Sequence, residues 1–324
     1  MDVDKGPSVK VLVTGAAGFI GSRLCRALLD RGDTVVGLDN FDSFYDRALK
    51  ERNLTDLTGD FRFERADIRD AIAMRALFEK ENFDALAHFA ALAAVRWSVE
   101  HPLLYAEVNV QGTANLLDAA RLTNQLRCVL ASSGSVYGRD TPLPFREDAS
   151  AAAPLAPYPA SKRAMELFAH AFAHLYGLPT TVLRCFNVYG PHGRPDMMPW
   201  KWARSIARGD EIVLYDDGRL RRDWTHISDI TRGVLLALDR PYPWEILNLG
   251  GAAPVENRRV VAILERALNQ TARIMGAPCP PSEPPATFAD VSKARRLLGW
   301  SPEVGIEQGL EGFVEWMERA GHLG

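Results

Sequence analysis

Cysteine is scarce, no long apolar run occurs and the charges nearly cancel, and each shortage removes a class of protein. Four cysteines stand in 324 residues. Cys25, Cys128, Cys185 and Cys279 have neither the paired spacing of a disulfide framework nor a metal-ligand spacing, so no stapled scaffold and no metal site is expected. Three of them sit in apolar runs that read as buried thiols, which fits a reducing cytoplasm. No stretch approaches the ~18 apolar residues of a membrane span. Residues 1–10 hold no apolar segment ahead of the first strand, so secretion is not expected. With 38 Lys and Arg against 41 Asp and Glu the formal net charge is −3, which leaves no basic footprint for nucleic acid.

What is present is a large core and a nucleotide signature. Hydrophobic residues make up 47% of the chain, enough for a large core, and the length predicts two domains. Residues 9–13 are a β-branched apolar run, interrupted only by Lys10 and ended by Thr14-Gly15, as in a buried parallel strand. Then comes Gly15-Ala16-Ala17-Gly18-Phe19-Ile20-Gly21. Gly15 permits a tight turn, Gly18 lets backbone approach a pyrophosphate, and Gly21 lets the next helix pack closely. That helix carries Ile20, Leu24, Ala27 and Leu28 on one face, and its N-terminus offers free N–H groups to phosphate. The glycines are spaced one residue wider than in the ordinary dinucleotide fingerprint. A second strand, 34–38, ends in Asp39-Asn40, and an acid there can accept from both ribose hydroxyls and repel a 2′-phosphate. The cofactor expected is NAD; a plain loop acid is the alternative.

Tyr158 and Lys162 stand one helical turn apart in Pro157-Tyr158-Pro159-Ala160-Ser161-Lys162, so both side chains share a face. A fixed cation beside a phenol favours phenolate and moves a group that ordinarily titrates near ~10 towards working pH, as a general base requires. Alone the pair reads equally as two surface residues. After a nucleotide signature it reads as chemistry.

Strand and helix patterns alternate to about residue 185, with further strands at 61–67, 84–90, 127–133 and 180–185 and helices at 70–81, 102–123 and 158–177. The fold class expected is α/β, a Rossmann-type doubly wound parallel sheet with a smaller α+β substrate-binding domain. On the last helix Ala164, Leu167, Phe168, Ala171, Phe172 and Leu175 form an apolar stripe, read as core or subunit interface. Beyond Gly190 the pattern loosens into Pro and Gly turns, a charged hairpin around Asp216-Asp217-Gly218 and a Pro-rich stretch over 278–285. A helix near 228–239 and a strand at 244–249 read as returning to the first domain. Residues 8–186 with 222–250 are therefore expected to form the NAD-binding domain, and 187–221 with 251–324 the other.

Over nearly its whole length the sequence resembles the extended short-chain dehydrogenase/reductases, in the group of NAD-dependent sugar-nucleotide epimerases and dehydratases. The resemblance rests on five ordered motifs: residues 14–21; Leu130-Ala131-Ser132-Ser133-Gly134-Ser135-Val136-Tyr137-Gly138; Tyr158-x-x-x-Lys162; Arg184-Cys185-Phe186-Asn187-Val188-Tyr189-Gly190-Pro191; and Arg222-Asp223-Trp224-Thr225-His226-Ile227-Ser228-Asp229. Two shorter segments, 38–46 and Gly193-Arg194-Pro195-Asp196-Met197, resemble the UDP-glucuronate 4-epimerases.

The resemblance implies roles. Ser133 matches the catalytic Ser or Thr that holds the sugar's reacting oxygen, and Ser135, two further along what reads as an extended segment, would share that contact; N-capping is the bland alternative for these serines. Tyr158 is the implied base, and Lys162 would lower its pKa and bond the nicotinamide ribose. Asp67-Ile68 matches the adenine-recognising pair, Phe89-Ala90-Ala91 the strand end on the nicotinamide side, and Asn109 a structural helix Asn. Asn187 and Arg222 match positions on the nucleotide diphosphate, for which the planar donors of Arg222 are suited. A solvated charge run is the alternative for 219–222, and fits Arg219 and Arg221. Arg194 is read as the partner of a uronate carboxylate, against a turn Arg bonded to Asp196.

The expected reaction is C4 epimerisation of a UDP-sugar through a 4-keto intermediate, UDP-glucuronate to UDP-galacturonate, in a cytoplasmic homodimer needing no metal, nucleic acid or membrane. Related dehydratases usually carry Asp-Glu or Glu where this chain has Gly134-Ser135, because elimination needs a proton donor there. Glucuronate epimerases usually carry Thr at the position of Asn187, and galactose epimerases Asn, which keeps a UDP-glucose/UDP-galactose 4-epimerase as the alternative. A non-catalytic NAD-binding sensor is the remaining reading, and such proteins typically lose the Tyr and Lys.

Overall fold

The structure, a computed structural model, describes residues 8–122 and 126–324. The leader expectation for residues 1–7 and the helix end at 123 lie outside the described residues. Seven short strands make the central sheet: β1 Lys10–Thr14, β2 Thr34–Asp39, β3 Phe61–Arg65, β4 Ala85–His88, β5 Arg127–Ser133, β6 Thr180–Cys185 and β7 Trp244–Leu249. Their order is β7-β6-β5-β4-β1-β2-β3 and every pairing is parallel. Helices cover both faces, which is why β1 reads as continuous apolar residues. Val11 and Val13 pack on one side with Leu24, Leu28, Ile230 and Val234. Leu12, between them, points the other way to Met74, Leu116, Leu117 and Met165.

The chain runs from β1 outward to β3, then crosses back to start β4 on the other side of β1. The turns after β1 and β4 therefore diverge, and parallel sheets bind ligands in the crevice this leaves at their C-terminal edge. Two predicted strands are shorter than expected for the same reason. β3 stops at Arg65 and β4 at His88, because residues 66–68 and 89–91 leave the sheet and bend over its edge.

The predicted helix over 102–123 is broken into three. A turn at Pro102–Tyr105 leads into a π-helix, Ala106–Gln111, and then an α-helix, Gly112–Ala120. Within the wide segment Asn109 clamps Leu92, accepting from its N–H and donating to its C=O at 2.9 Å each, and donates to Ser161 Oγ. Hydrophobic periodicity cannot reveal such a segment, which is a single wide turn inside a helical pattern.

Residues beyond 190 hold more helix than the sequence patterns suggested. Met198–Arg208, Asn257–Leu268 and Ile306–Arg319 surround a second core of Trp200, Ile206, Val260, Leu264, Leu310 and Phe313. The expected hairpin at Asp216-Asp217-Gly218 does not form. Three successive residues have positive φ, at 49°, 52° and 78°, and turn the chain a corner, so that Glu211–Tyr215 pairs in parallel with Arg273–Ala277 instead. Residues 289–300, assigned by sequence to the second unit, also depart from expectation: Ala289, Val291, Ala294, Leu298 and Trp300 pack in the core under the sheet.

Most of the stripe on Pro157–Tyr176 lies outside the core, although Phe172 packs against it. The buried face of this helix carries Tyr158, Ser161, Lys162, Met165, Glu166, Ala169 and Ala173, whereas Leu167, Phe168 and Leu175 are 56%, 44% and 68% exposed. Leu103, on the neighbouring turn, is exposed as well.

Candidate active site

A cavity of about 360 Å³ runs along the C-terminal ends of β1, β2, β4, β5 and β6. The expected cofactor and substrate residues line it, Gly15, Gly18, Phe19, Ile20, Gly21, Asp39, Asn40, Asp67, Ile68, Phe89, Ala90 and Ala91 at one end, and Ser133, Ser135, Tyr158, Lys162, Asn187, Arg194 and Arg222 towards the other, whereas Asn109 does not.

The glycine turn is a cradle with no room for side chains. A Cβ on Gly15, whose φ is +72°, would lie 2.7 Å from Ala90 N, and one on Gly21 would lie 2.1 Å from Gly15 O. The helix Phe19–Arg31 starts at this point with no side-chain cap and no acid in its first turn, and no acceptor among the described residues takes the N–H groups of Phe19, Ile20 and Gly21. Such an end suits an anionic group. Asp39, at the end of β2, accepts from Ala17 N–H at 3.2 Å and Phe41 N–H at 2.8 Å, with Lys50 Nζ 3.9 Å away. Burial raises its pKa, against the pull of Lys50 and those two amides. Asn40 donates to Asp67 at 3.0 Å, and Arg69, bonded to the same carboxylate, holds Asp67 at about 2. These groups fit a dinucleotide: backbone donors for the pyrophosphate, a buried carboxylate for a ribose diol and a second acid for the base.

At the other end Ser133 and Ser135 meet, though not as an extended pair. Gly134–Tyr137 is a 3₁₀ turn, and the two Oγ atoms come to 2.9 Å because Ser133 also accepts from Ser135 N–H. The Tyr158 backbone is fixed by Ser98, which accepts its N–H at 3.0 Å, and its ring sits edge-on to Tyr105.

Burial acts on both members of the pair. Lys162 Nζ donates to Ala131 O at 2.8 Å, and burial lowers its pKa to about 8, with Cys185 and Glu166 acting the other way. Tyr158 lies above its ordinary pKa, raised by burial; Ser133 and Arg194 pull it down. Arg194 is a cation that favours the phenolate here, while the Lys162 ammonium is bonded to the carbonyl of Ala131 on β5.

Arg194 and Arg222 are both already paired. Asp196 accepts two bonds from Arg194, from Nε at 2.9 Å and Nη2 at 2.8 Å, while Nη1 makes no hydrogen bond among the described residues. Arg222, expected to face a diphosphate, donates from Nη2 to Glu283 Oε2 at 2.9 Å. Glu283 was not found from sequence: it is a lone acid among prolines, and nothing in that pattern sets it apart. Lys50 and Tyr45 line the cavity too and gave no separate signal beyond the segment 38–46.

Comparison with known proteins bears on this arrangement. The model of the NAD dependent epimerase/dehydratase family matches residues 11–250. A UDP-glucuronate 4-epimerase of Thermodesulfobacterium geofontis is 41% identical over 308 residues, covering 94% of this chain and 95% of that protein. The crystal structure of UDP-glucuronic acid 4-epimerase from Bacillus cereus, in complex with UDP-glucuronic acid and NAD, superposes with a TM-score of 0.90 at 34% identity, covering 96% of this chain and 99% of that one. The UDP-glucose 4-epimerase of Thermotoga maritima with UDP-glucose gives 0.88 at 29% identity, covering 96% and 99%.

The cradle is directly testable. Gly21→Ala sets a methyl group against backbone that cannot yield, so the helix end must lift. Calorimetric titration should find NAD affinity lowered by at least ~10-fold, about 1.4 kcal/mol; unchanged affinity would separate this turn from nucleotide binding.

Proposed function

The chain belongs to the NAD dependent epimerase/dehydratase family, and from that premise we propose that it inverts C4′ of a UDP-sugar, converting UDP-glucuronate and UDP-galacturonate into one another. The observation that carries the reading is the convergence of Ser133, Tyr158, Lys162 and Arg194 on one cavity with the dinucleotide cradle. Bound NAD would supply the hydride acceptor and donor for C4′. Asp39 would accept from the adenosine ribose, the turn 15–21 would hold the pyrophosphate, and Lys162 would hold the nicotinamide ribose. Tyr158 removes the proton from the C4′ hydroxyl, Ser133 and Ser135 orient that oxygen, and Tyr158 gives the proton back after the 4-keto sugar has turned its other face. No net oxidation occurs, so the UDP group supplies the binding energy while the sugar stays free to rotate.

Asn187 and Arg222 are the diphosphate contacts in this reading, with Arg222 exchanging Glu283 for phosphate oxygens. Arg194 reads the uronate carboxylate through its free Nη1, held in place by Asp196. A second reading, with UDP-glucose and UDP-galactose as the pair, is favoured by Asn187 and by that same ion pair, since Asp196 already neutralises the guanidinium. The sensor reading loses ground because Tyr158, Lys162 and the serines are all present. Four free thiols, three of them buried, suit a reducing cytoplasm. Leu103, Leu167, Phe168 and Leu175, exposed on packed neighbouring helices, support a homodimer closed over that face.

Incubation with UDP-glucuronate and NMR of the sugar products tests the activity, and UDP-galacturonate should accumulate to an equilibrium mixture. Tyr158→Phe should lower kcat by ~10²-fold or more with NAD and UDP-sugar still bound; near-normal turnover would remove Tyr158 from the mechanism. Arg194→Ala should raise KM for UDP-glucuronate more than for UDP-glucose and release some decarboxylated pentose, because the 4-keto uronate is a β-keto acid. Equal losses for both sugars would assign Arg194 to loop support. For the dimer, Leu167→Lys with Phe168→Lys should halve the mass in sedimentation; a wild-type monomer contradicts the proposed face.

A further inference from the structure

A carboxylate that this mechanism does not use lies directly behind the reacting groups. Glu166 is 1% exposed and lies outside the cavity lining. Its Oε1 accepts from Ser132 Oγ at 2.6 Å and Arg184 Nε at 2.8 Å, and its Oε2 from Arg184 Nη2 and Arg163 Nη1, both at 2.8 Å. Those partners come from the elements that build the site. Ser132 precedes Ser133 on β5. Arg184 precedes Cys185 on β6, opposite Ser132 in register. Glu166 follows Lys162 by one turn of its helix, on the same face. Beyond the pair, the Arg184 guanidinium lies 4.7 Å from the centre of the Tyr137 ring, and Tyr137 donates to Asn248 on β7 at 2.7 Å.

Stability is a poor reason to bury such a group. Replacing a buried ion pair by apolar side chains is often neutral or favourable, whereas the pair fixes its partners in position. What it fixes here is the Ser133 end of β5 against the Lys162 turn of the helix. Charge matters as well. The groups acting on Lys162 are Glu166 on its own helix, Cys185 on β6 and His88 on β4; Arg184 and Arg163 are bonded to that carboxylate. Of these the carboxylate is the negative one.

We propose that Glu166 is a positioning residue for the proton transfer: it aligns Ser133 with Tyr158 through Ser132 and Arg184, and it balances the charge of the Lys162 ammonium. This rests on the reading of Tyr158 and Lys162 given above. Without the carboxylate, Arg184 loses its buried partner and Lys162 loses a charge that holds its proton, so the ammonium releases that proton at lower pH. Without Arg163 alone, the carboxylate is less neutralised and Lys162 holds its proton to higher pH.

The test is the pH profile of kcat/KM for UDP-glucuronate with the enzyme as purified. The wild type should lose activity above about pH 8, where Lys162 deprotonates. Glu166→Gln should move that alkaline limb down by ~1 pH unit and lower kcat ~10-fold at pH 8, with KM changed less than ~2-fold. Arg163→Met, which removes a half-exposed partner and should fold even where Glu166→Gln does not, should move the limb up. A wild-type profile without the limb, or limbs that coincide in wild type and in the variants that fold, overturns the proposal even when epimerisation is normal. Absence of epimerisation by the wild type, or full turnover by Tyr158→Phe, sinks the underlying reading instead.

Discussion

Gly15 and Ala90 approach more closely than a side chain permits, and the site depends on that contact. A Cβ on Gly15 would meet Ala90 N at 2.7 Å and Phe89 C at 2.8 Å, all of it backbone. Thr14 secures the approach from below: its hydroxyl accepts from the N–H groups of Phe89 and Ala90 at 3.2 Å and lies 2.7 Å from His88 Nδ1. The turns after β1 and β4 are thus locked where the strand order reverses. Everything else at the cavity is placed relative to this lock. The uncapped helix end faces the crevice because Gly21 lets it sit on Gly15 O, and Asp39 reaches in because its carboxylate is tied to Ala17 in the same turn.

Dryness governs the chemistry at the other end. Burial pushes the Tyr158 phenol up and draws the Lys162 ammonium down to about 8, so the resting site holds a neutral phenol beside a cation near its own titration. Neither group is a strong base at rest. Ser133 and Arg194, which favour the phenolate, supply the opposing bias, and a base that must return the same proton is served by such near balance. The cost of holding Lys162 charged in this environment falls on the elements around it, which connects the buried Glu166 network to the reaction.

Much of this is legible in the sequence. The glycine turn, Asp39 and Tyr158-x-x-x-Lys162 could be read because each needs particular residue types at fixed spacing, and the sheet because its strands are apolar on both faces. What stayed hidden depends on partners distant in sequence. The π-helix follows from Asn109 meeting Leu92, the pairing of Arg222 from Glu283 folding back across the cavity, and the return of 289–300 from Trp300 finding the sheet's core. The bond from Lys162 to Ala131 O has the same origin, since spacing places Lys162 on the right face but does not name the partner of its ammonium. The stripe at Leu167, Phe168 and Leu175 was visible as a period; which way it faced was decided by Met165, Glu166 and Ala169 on the other side of the helix.

The central claim is that C4′ is inverted by removing a hydride and returning the same hydride within one site, with Tyr158 handling only the hydroxyl proton. Conversion of UDP-glucuronate in heavy water, followed by NMR of the isolated UDP-galacturonate, tests it most directly. The account predicts a product that retains ordinary hydrogen at C4′. Deuterium at that carbon would contradict it, because the inverted bond would then have been made with a solvent proton.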